Sequence, residues 1–230
     1  METKILMSAS SSFNNYKLPF EKLGAKVEIS YLPKVDPEDY DGLVLCGGCD
    51  VKPFLYGQKL NGCKAVDDIR DAVEMYLIDE FVKRKKPILG ICRGHQIINV
   101  YFEGSLIQHL KTAEDHMRNI YGDSIHKIDA VPNSILAKLY GNEFYVNSAH
   151  HQAVDKIGNG LIVTSRSEID NVIESFEHTS LPIYGVQFHP ERMCLNNQRE
   201  DAVDGYKLLE FFYNKCLEKK GDNKEKQNEN

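Results

Sequence analysis

The stretch KPILGICRGHQIINVYFEG, residues 86–104, decides how the chain is read. Pro87 closes a helical pattern, and Ile88–Ile91 is a short apolar run of the kind that forms a strand covered on both faces. From Gly94 to Tyr101 the pattern becomes helical. Cys92 falls at the junction, with Gly90 two residues before it and Gly94 two after. This is the G-x-nucleophile-x-G spacing of a nucleophile elbow, in which only glycines fit beside a very tight strand-to-helix turn and the central side chain projects into the crevice. Open α/β sheets place ligands at such carboxyl ends of strands. The positive end of the following helix suits a nucleophile that carries negative charge.

Working outward, Lys4–Ser8, Val27–Tyr31 and Gly42–Cys46 read as three further strands. Between Asp68 and Lys86, Ile69, Ala72, Val73, Tyr76, Leu77 and Phe81 recur at the spacing of an amphipathic helix, with Asp67 or Asp68 to cap its start. The alternation predicts an α/β fold with a mostly parallel central sheet flanked by helices on both faces. Later segments, His126–Val131, Phe144–Asn147, Leu161–Ser165, Asn171–Phe176 and Ile183–Phe188, read as strands, some of them antiparallel and forming a smaller antiparallel sheet. A helix over Ala202–Leu217 closes the fold with an inward stripe of Val203, Tyr206, Leu209, Tyr213 and Cys216. Nothing divides residues 1–217, which are expected to form a single domain. Residues 218–230 contain no apolar side chain and are expected to be a disordered tail.

Composition excludes several functions. The 230 residues carry a net charge of −6, which argues against nucleic-acid binding as the main activity. No apolar run approaches the roughly 18 residues of a membrane span, and no secretory signal is expected from the short apolar stretch Ile5–Met7. A cytoplasmic location is expected, and the six scattered cysteines fit it as reduced thiols. Cys46-Gly-Gly-Cys49 has the form of a C-x-x-C pair, but no second pair completes a zinc set, so no metal is expected.

A nucleophilic cysteine needs a base and a group that orients the base. YGVQFHPE, residues 184–191, supplies His189 and Glu191, two residues apart in what reads as an extended stretch with both side chains on one side. The fold has to bring His189 to Cys92 across 97 residues of chain. In DGLVLCGGCDV, Gly47 and Gly48 follow the third strand beside the same crevice. The amides of Gly48 and Arg93 then form a two-donor oxyanion hole.

Taken together, GICRGHQ, GVQFHPE and the Gly-Gly turn resemble the class I glutamine amidotransferases, whose triad is Cys-His-Glu. LVLCGGCDVKPFLYG, DIRDAVEMYLIDE and VNSAHHQAV are similar to the γ-glutamyl-γ-aminobutyrate hydrolase branch of that superfamily, over about Lys4 to Leu217. The resemblance implies Cys92 as nucleophile, His189 as base, Glu191 as its orienter, and Gly48 and Arg93 as oxyanion donors. It implies that Gln96 positions the γ-glutamyl group and that Ser148 and Ala149 receive its α-amino and carboxylate end. His150, with His151, then edges the pocket. The implied activity is cofactor-free hydrolysis of a small-molecule γ-glutamyl amide. Two alternatives stay open: a glutaminase component that passes ammonia to a synthetase, and a non-catalytic thiol-sensing or binding protein. The Arg93 side chain is free in this reading to meet an acidic part of the substrate or a neighbouring chain. Tyr16, Phe20, Tyr101 and Phe102 serve the core or the surface of a homodimer.

Overall fold

A computed structural model describes residues 2–228, with the backbone alone for 222–228. In chain order the elements are β1 (Thr3–Ser8), α1 (Phe13–Lys22), β2 (Ala25–Ser30), β3 (Gly42–Leu45), α2 (Asp68–Lys83), β4 (Ile88–Ile91), α3 (Arg93–Tyr101), β5 (Leu106–Ile107), α4 (Ala113–His116) and β6 (Ser124–Ala130). There follow α5 (Ile135–Tyr140), β7 (Glu143–Ser148), β8 (Ala153–Val154), β9 (Leu161–Ser167), β10 (Ile173–His178), β11 (Ile183–Val186) and α6 (Tyr206–Asn228).

The strands join in the order β2-β1-β3-β4-β11-β10-β9-β6-β7. The run from β2 to β11 is parallel, and β10, β9, β6 and β7 extend it antiparallel. The antiparallel strands therefore continue the central sheet. Their link is β11, which is parallel to β4 on one side and antiparallel to β10 on the other.

Strand alternation sorts the core into two layers. From β1, Ile5 and Met7 join Phe20 of α1 and Leu208, Leu209 and Phe212 of α6 on one face. Leu6, from the same strand, joins Leu77 and Phe81 of α2 and Ile97 and Ile98 of α3 on the other. Tyr16 and Phe20 are core residues, 4% and 1% exposed, and so do not furnish a homodimer surface.

Two helices differ from expectation. The inner face of α2 carries Arg70, Asp71 and Glu74 beside Leu77, Ile78 and Phe81, while Ile69 and Tyr76 are exposed. The charged residues lie inward because they pair with one another and with Arg93. At the carboxyl end, α6 begins at Tyr206 and continues to Asn228, through most of the segment expected to be disordered. Its Glu and Lys residues are good helix formers, and Lys220 holds the extension to the body through Asp41 at 2.9 Å. Residues 229 and 230 lie outside the described residues.

Candidate active site

The elbow is built as its glycines require. Cys92 sits between β4 and α3 with φ 53° and ψ −102°, a conformation that L-residues seldom adopt and that the surrounding structure has to enforce. A Cβ on Gly90 would lie 2.5 Å from the Gly94 carbonyl, and one on Gly94 would lie 2.0 Å from the Leu45 carbonyl oxygen. Both positions are closed to any other residue. The Cys92 amide is anchored to the Val186 carbonyl of β11 at 2.8 Å, which fixes the elbow to the strand that leads to His189.

His189 and Cys92 meet. The outer side of Gly47 faces both His189 Cε1 and Cys92 Cβ, and Cys92 lies close enough to the imidazole to raise its pKa. His189 Nδ1 pairs with Glu191 Oε1 at 2.8 Å. The stretch is not extended, as the alternation suggests. β11 ends at Val186, and Pro190–Arg192 forms a 3-10 turn that swings the carboxylate back under the ring. Pro190 favours that turn because its φ is already set for a first helical position. Asn147 clamps His189: its Oδ1 accepts the His189 amide at 2.8 Å, and its Nδ2 donates to the His189 carbonyl at 3.1 Å.

Burial is the largest influence on the His189 pKa and lowers it, but the neighbouring Glu191 and Cys92 outweigh burial and lift it to about 10. A pKa raised on folding adds stability that is complete below the unfolded value of about 6.5 and is lost as pH rises through about 10. The His189 ring should therefore hold its second proton to about pH 10 by NMR titration. Glu191→Gln removes the main attraction and should lower that midpoint by about one unit or more. An unmoved midpoint would mean that Glu191 does not hold the ring.

The oxyanion side is set by a buried charge network. Arg70 donates to the Gly47 carbonyl at 3.1 Å, the Cys46 carbonyl at 3.0 Å and Glu74 at 2.8 Å. Tyr16 Oη accepts the Gly47 amide at 3.1 Å. In a trans peptide the N–H opposes the C=O, so Arg70 on the Gly47 carbonyl turns the Gly48 N–H the other way. A Cβ on Gly48 would lie 2.1 Å from Arg70 Nη1, so the glycine admits the guanidinium. Among the described residues neither the Gly48 nor the Arg93 amide has a protein acceptor. Both are available to an oxyanion. The Arg93 side chain is buried against Asp71 and Glu74, which removes it from contact with substrate or a neighbouring chain. Arg70, Glu74, Tyr16 and Asn147 were not legible as site residues. The one signal was an Arg and a Glu four apart on a helix.

The proposed substrate contacts divide. Gln96 is buried at the start of α3, and its Nε2 is held by the Gln152 carbonyl at 3.2 Å and Gln187 Oε1 at 3.1 Å. Its Oε1 accepts no bond among the described residues and is the atom left for a ligand. Ser148 is fully buried with its Oγ near His116 Nδ1 at 3.3 Å, and Ala149 is half-buried beside it. His150 is buried. It turns inward, with Nδ1 on the Gln152 carbonyl at 2.9 Å and Nε2 toward Glu174. Its neighbour His151 pairs instead with Asp50 at 3.0 Å. All six cysteines are free thiols, Cys46 and Cys49 included.

A strained cysteine between strand and helix, an imidazole held by a carboxylate, and two amides unpartnered among the described residues thus gather at the carboxyl ends of β3, β4 and β11. The chain belongs to the peptidase C26 family, whose model matches residues 33–191, within the class I glutamine amidotransferase superfamily. It is 38% identical over 187 residues to a Schizosaccharomyces pombe protein named "Putative glutamine amidotransferase PB2B2.05", covering 78% of this chain and 71% of that protein. It is 33% identical over 214 residues to γ-glutamyl-γ-aminobutyrate hydrolase of Escherichia coli O157:H7, covering 86% and 80%. The crystal structure of a glutamine amidotransferase from Thermotoga maritima shares the fold, with a TM-score of 0.66 at 18% identity over 83% of this chain and 77% of that one. Among the described residues no helix is long and apolar enough to cross a membrane.

Proposed function

We propose that the protein hydrolyses γ-glutamyl amides through a γ-glutamyl thioester, with γ-glutamyl-γ-aminobutyrate as the model substrate. The observation that carries this reading is the Cys92–His189–Glu191 line beside the two unpartnered amides of Gly48 and Arg93. Cys92 Sγ attacks the side-chain amide carbon, and the oxyanion takes hydrogen bonds from both amides. His189 gives its proton to the amine nitrogen as the C–N bond breaks. Water, deprotonated by His189, then attacks the thioester carbon, releases glutamate and returns the thiol. These steps need no cofactor. Gln96 Oε1 and the Ser148–Ala149 backbone are the groups assigned to the α-amino and α-carboxylate end of the substrate. The E. coli relative supports the choice of substrate, with identity extending through most of both chains.

The test is an assay of the purified chain alone on γ-glutamyl-γ-aminobutyrate and on glutamine. Glutamate release from the first without any added protein is the expected result. Turnover of glutamine alone, and only after addition of a synthetase, would assign the chain to ammonia delivery instead.

A further inference from the structure

Away from the triad, three buried imidazoles surround one buried carboxylate. Glu174 of β10 is fully buried, with Oε1 3.4 Å from His126 Nε2 of β6 and 3.6 Å from His150 Nε2. The His116 ring of α4 packs 4.9 Å from the His126 ring and 4.7 Å from the His150 ring, centre to centre. One donor atom each of His116, His150 and Glu174 falls within 4.8 Å of the others.

Hydrogen bonding accounts for His116, whose Nδ1 meets Ser148 Oγ at 3.3 Å and whose Nε2 meets Asp170 at 3.0 Å, but not for the rest of this cluster. Both Glu174 oxygens, both His126 nitrogens and His150 Nε2 lack a hydrogen-bond partner among the described residues. Each orphaned polar atom of this kind is costly inside a protein. His150 Nδ1 meets the Gln152 carbonyl at 2.9 Å, which assigns its proton to that nitrogen and leaves an electron pair on Nε2. That pair faces the Glu174 carboxylate, acceptor against acceptor. A cation between them resolves the conflict.

The spacing and surroundings specify the kind of cation. Donors about 2.0–2.1 Å from a tetrahedral zinc ion lie about 3.3–3.4 Å from one another. The 3.4 and 3.6 Å separations resemble that edge more than a hydrogen bond. The outer partners are also of the type that orients metal-bound histidines: a backbone carbonyl on His150, and the Asp170 carboxylate 3.0 Å from His116 Nε2. We propose that His116, His150 and Glu174 bind a divalent transition-metal ion of the zinc class, with His126 as the further donor in reach. Sequence reading expects no metal because no second C-x-x-C pair completes a zinc set, whereas these donors come from α4, β10 and the segment after β7. The ion would be structural, tying β10 and α4 to the segment that carries Ser148 and Ala149.

To test this, the full chain is unfolded with a chelator and refolded with Zn²⁺, with Co²⁺ or without metal. Wild type should retain about one ion per chain after desalting, melt at higher temperature than the metal-free sample, and show the visible absorption of four-coordinate Co²⁺ without a thiolate band. Glu174→Gln and His150→Ala should lose most of the retained ion. Cys92→Ala should keep it, which separates this site from the catalytic reading. Wild type that retains no ion and melts at the metal-free temperature overturns the proposal and leaves a histidinium–carboxylate pair. A Co²⁺ spectrum with a thiolate band, or one unchanged in Glu174→Gln, overturns it as well, and the wild-type measurements decide the matter even where a variant fails to fold.

Discussion

Cys92→Ala should lower amide hydrolysis by about four to six orders of magnitude while leaving the chain folded. The size follows from the arrangement of the site. Removing the sulfur leaves the two amides and the substrate contacts but no atom to form the thioester. The elbow itself rests on Gly90, Gly94 and the Cys92–Val186 backbone bond, none of which involves the sulfur. Steady-state assay with thermal melting checks both halves. Retained turnover would dismiss the triad, and collapse of the fold would mean that the thiol has a packing role the backbone does not reveal.

The second large effect is on stability. Glu74 lies between Arg70 and Arg93 with no exposure to solvent, and also accepts the Ser8 hydroxyl at 2.6 Å. Glu74→Ala leaves two buried guanidinium groups short of their counter-charge, which costs about 3–5 kcal/mol. In a chain of this length that is a fall in Tm of roughly 10 °C. Activity should fall further than stability explains, because Arg70 would no longer be held against the Gly47 carbonyl that sets the Gly48 amide. A Tm within about 2 °C of wild type would show that the pairs contribute little.

The parts of the site legible in the sequence are those imposed by backbone geometry. Gly90 and Gly94 have to flank a turn that no larger residue survives, and HPE places a carboxylate within two residues of an imidazole. The strands were legible for the same reason, since short apolar runs ended by Gly or Pro leave few readings. What failed was the assumption that buried means apolar. Ile69 and Tyr76 fit the helical period of α2 yet face solvent, because Arg70 and Glu74 satisfy each other inside. Asn147 escaped notice because its work is done on the backbone of a residue 42 positions away. His150 was read beside its sequence neighbour, whereas its partners come from β10 and from the chain two residues on.

The register of β4 with β11 has a consequence for how the protein loses activity. Ile91, one residue before Cys92, lies opposite Val186, three residues before His189. The two residues thus follow directly from the ends of two paired strands, and loop motion alone does little to part them. Heat inactivation should track melting of the whole domain, and tolerance to insertions should be low between these two strands and much higher at the rim.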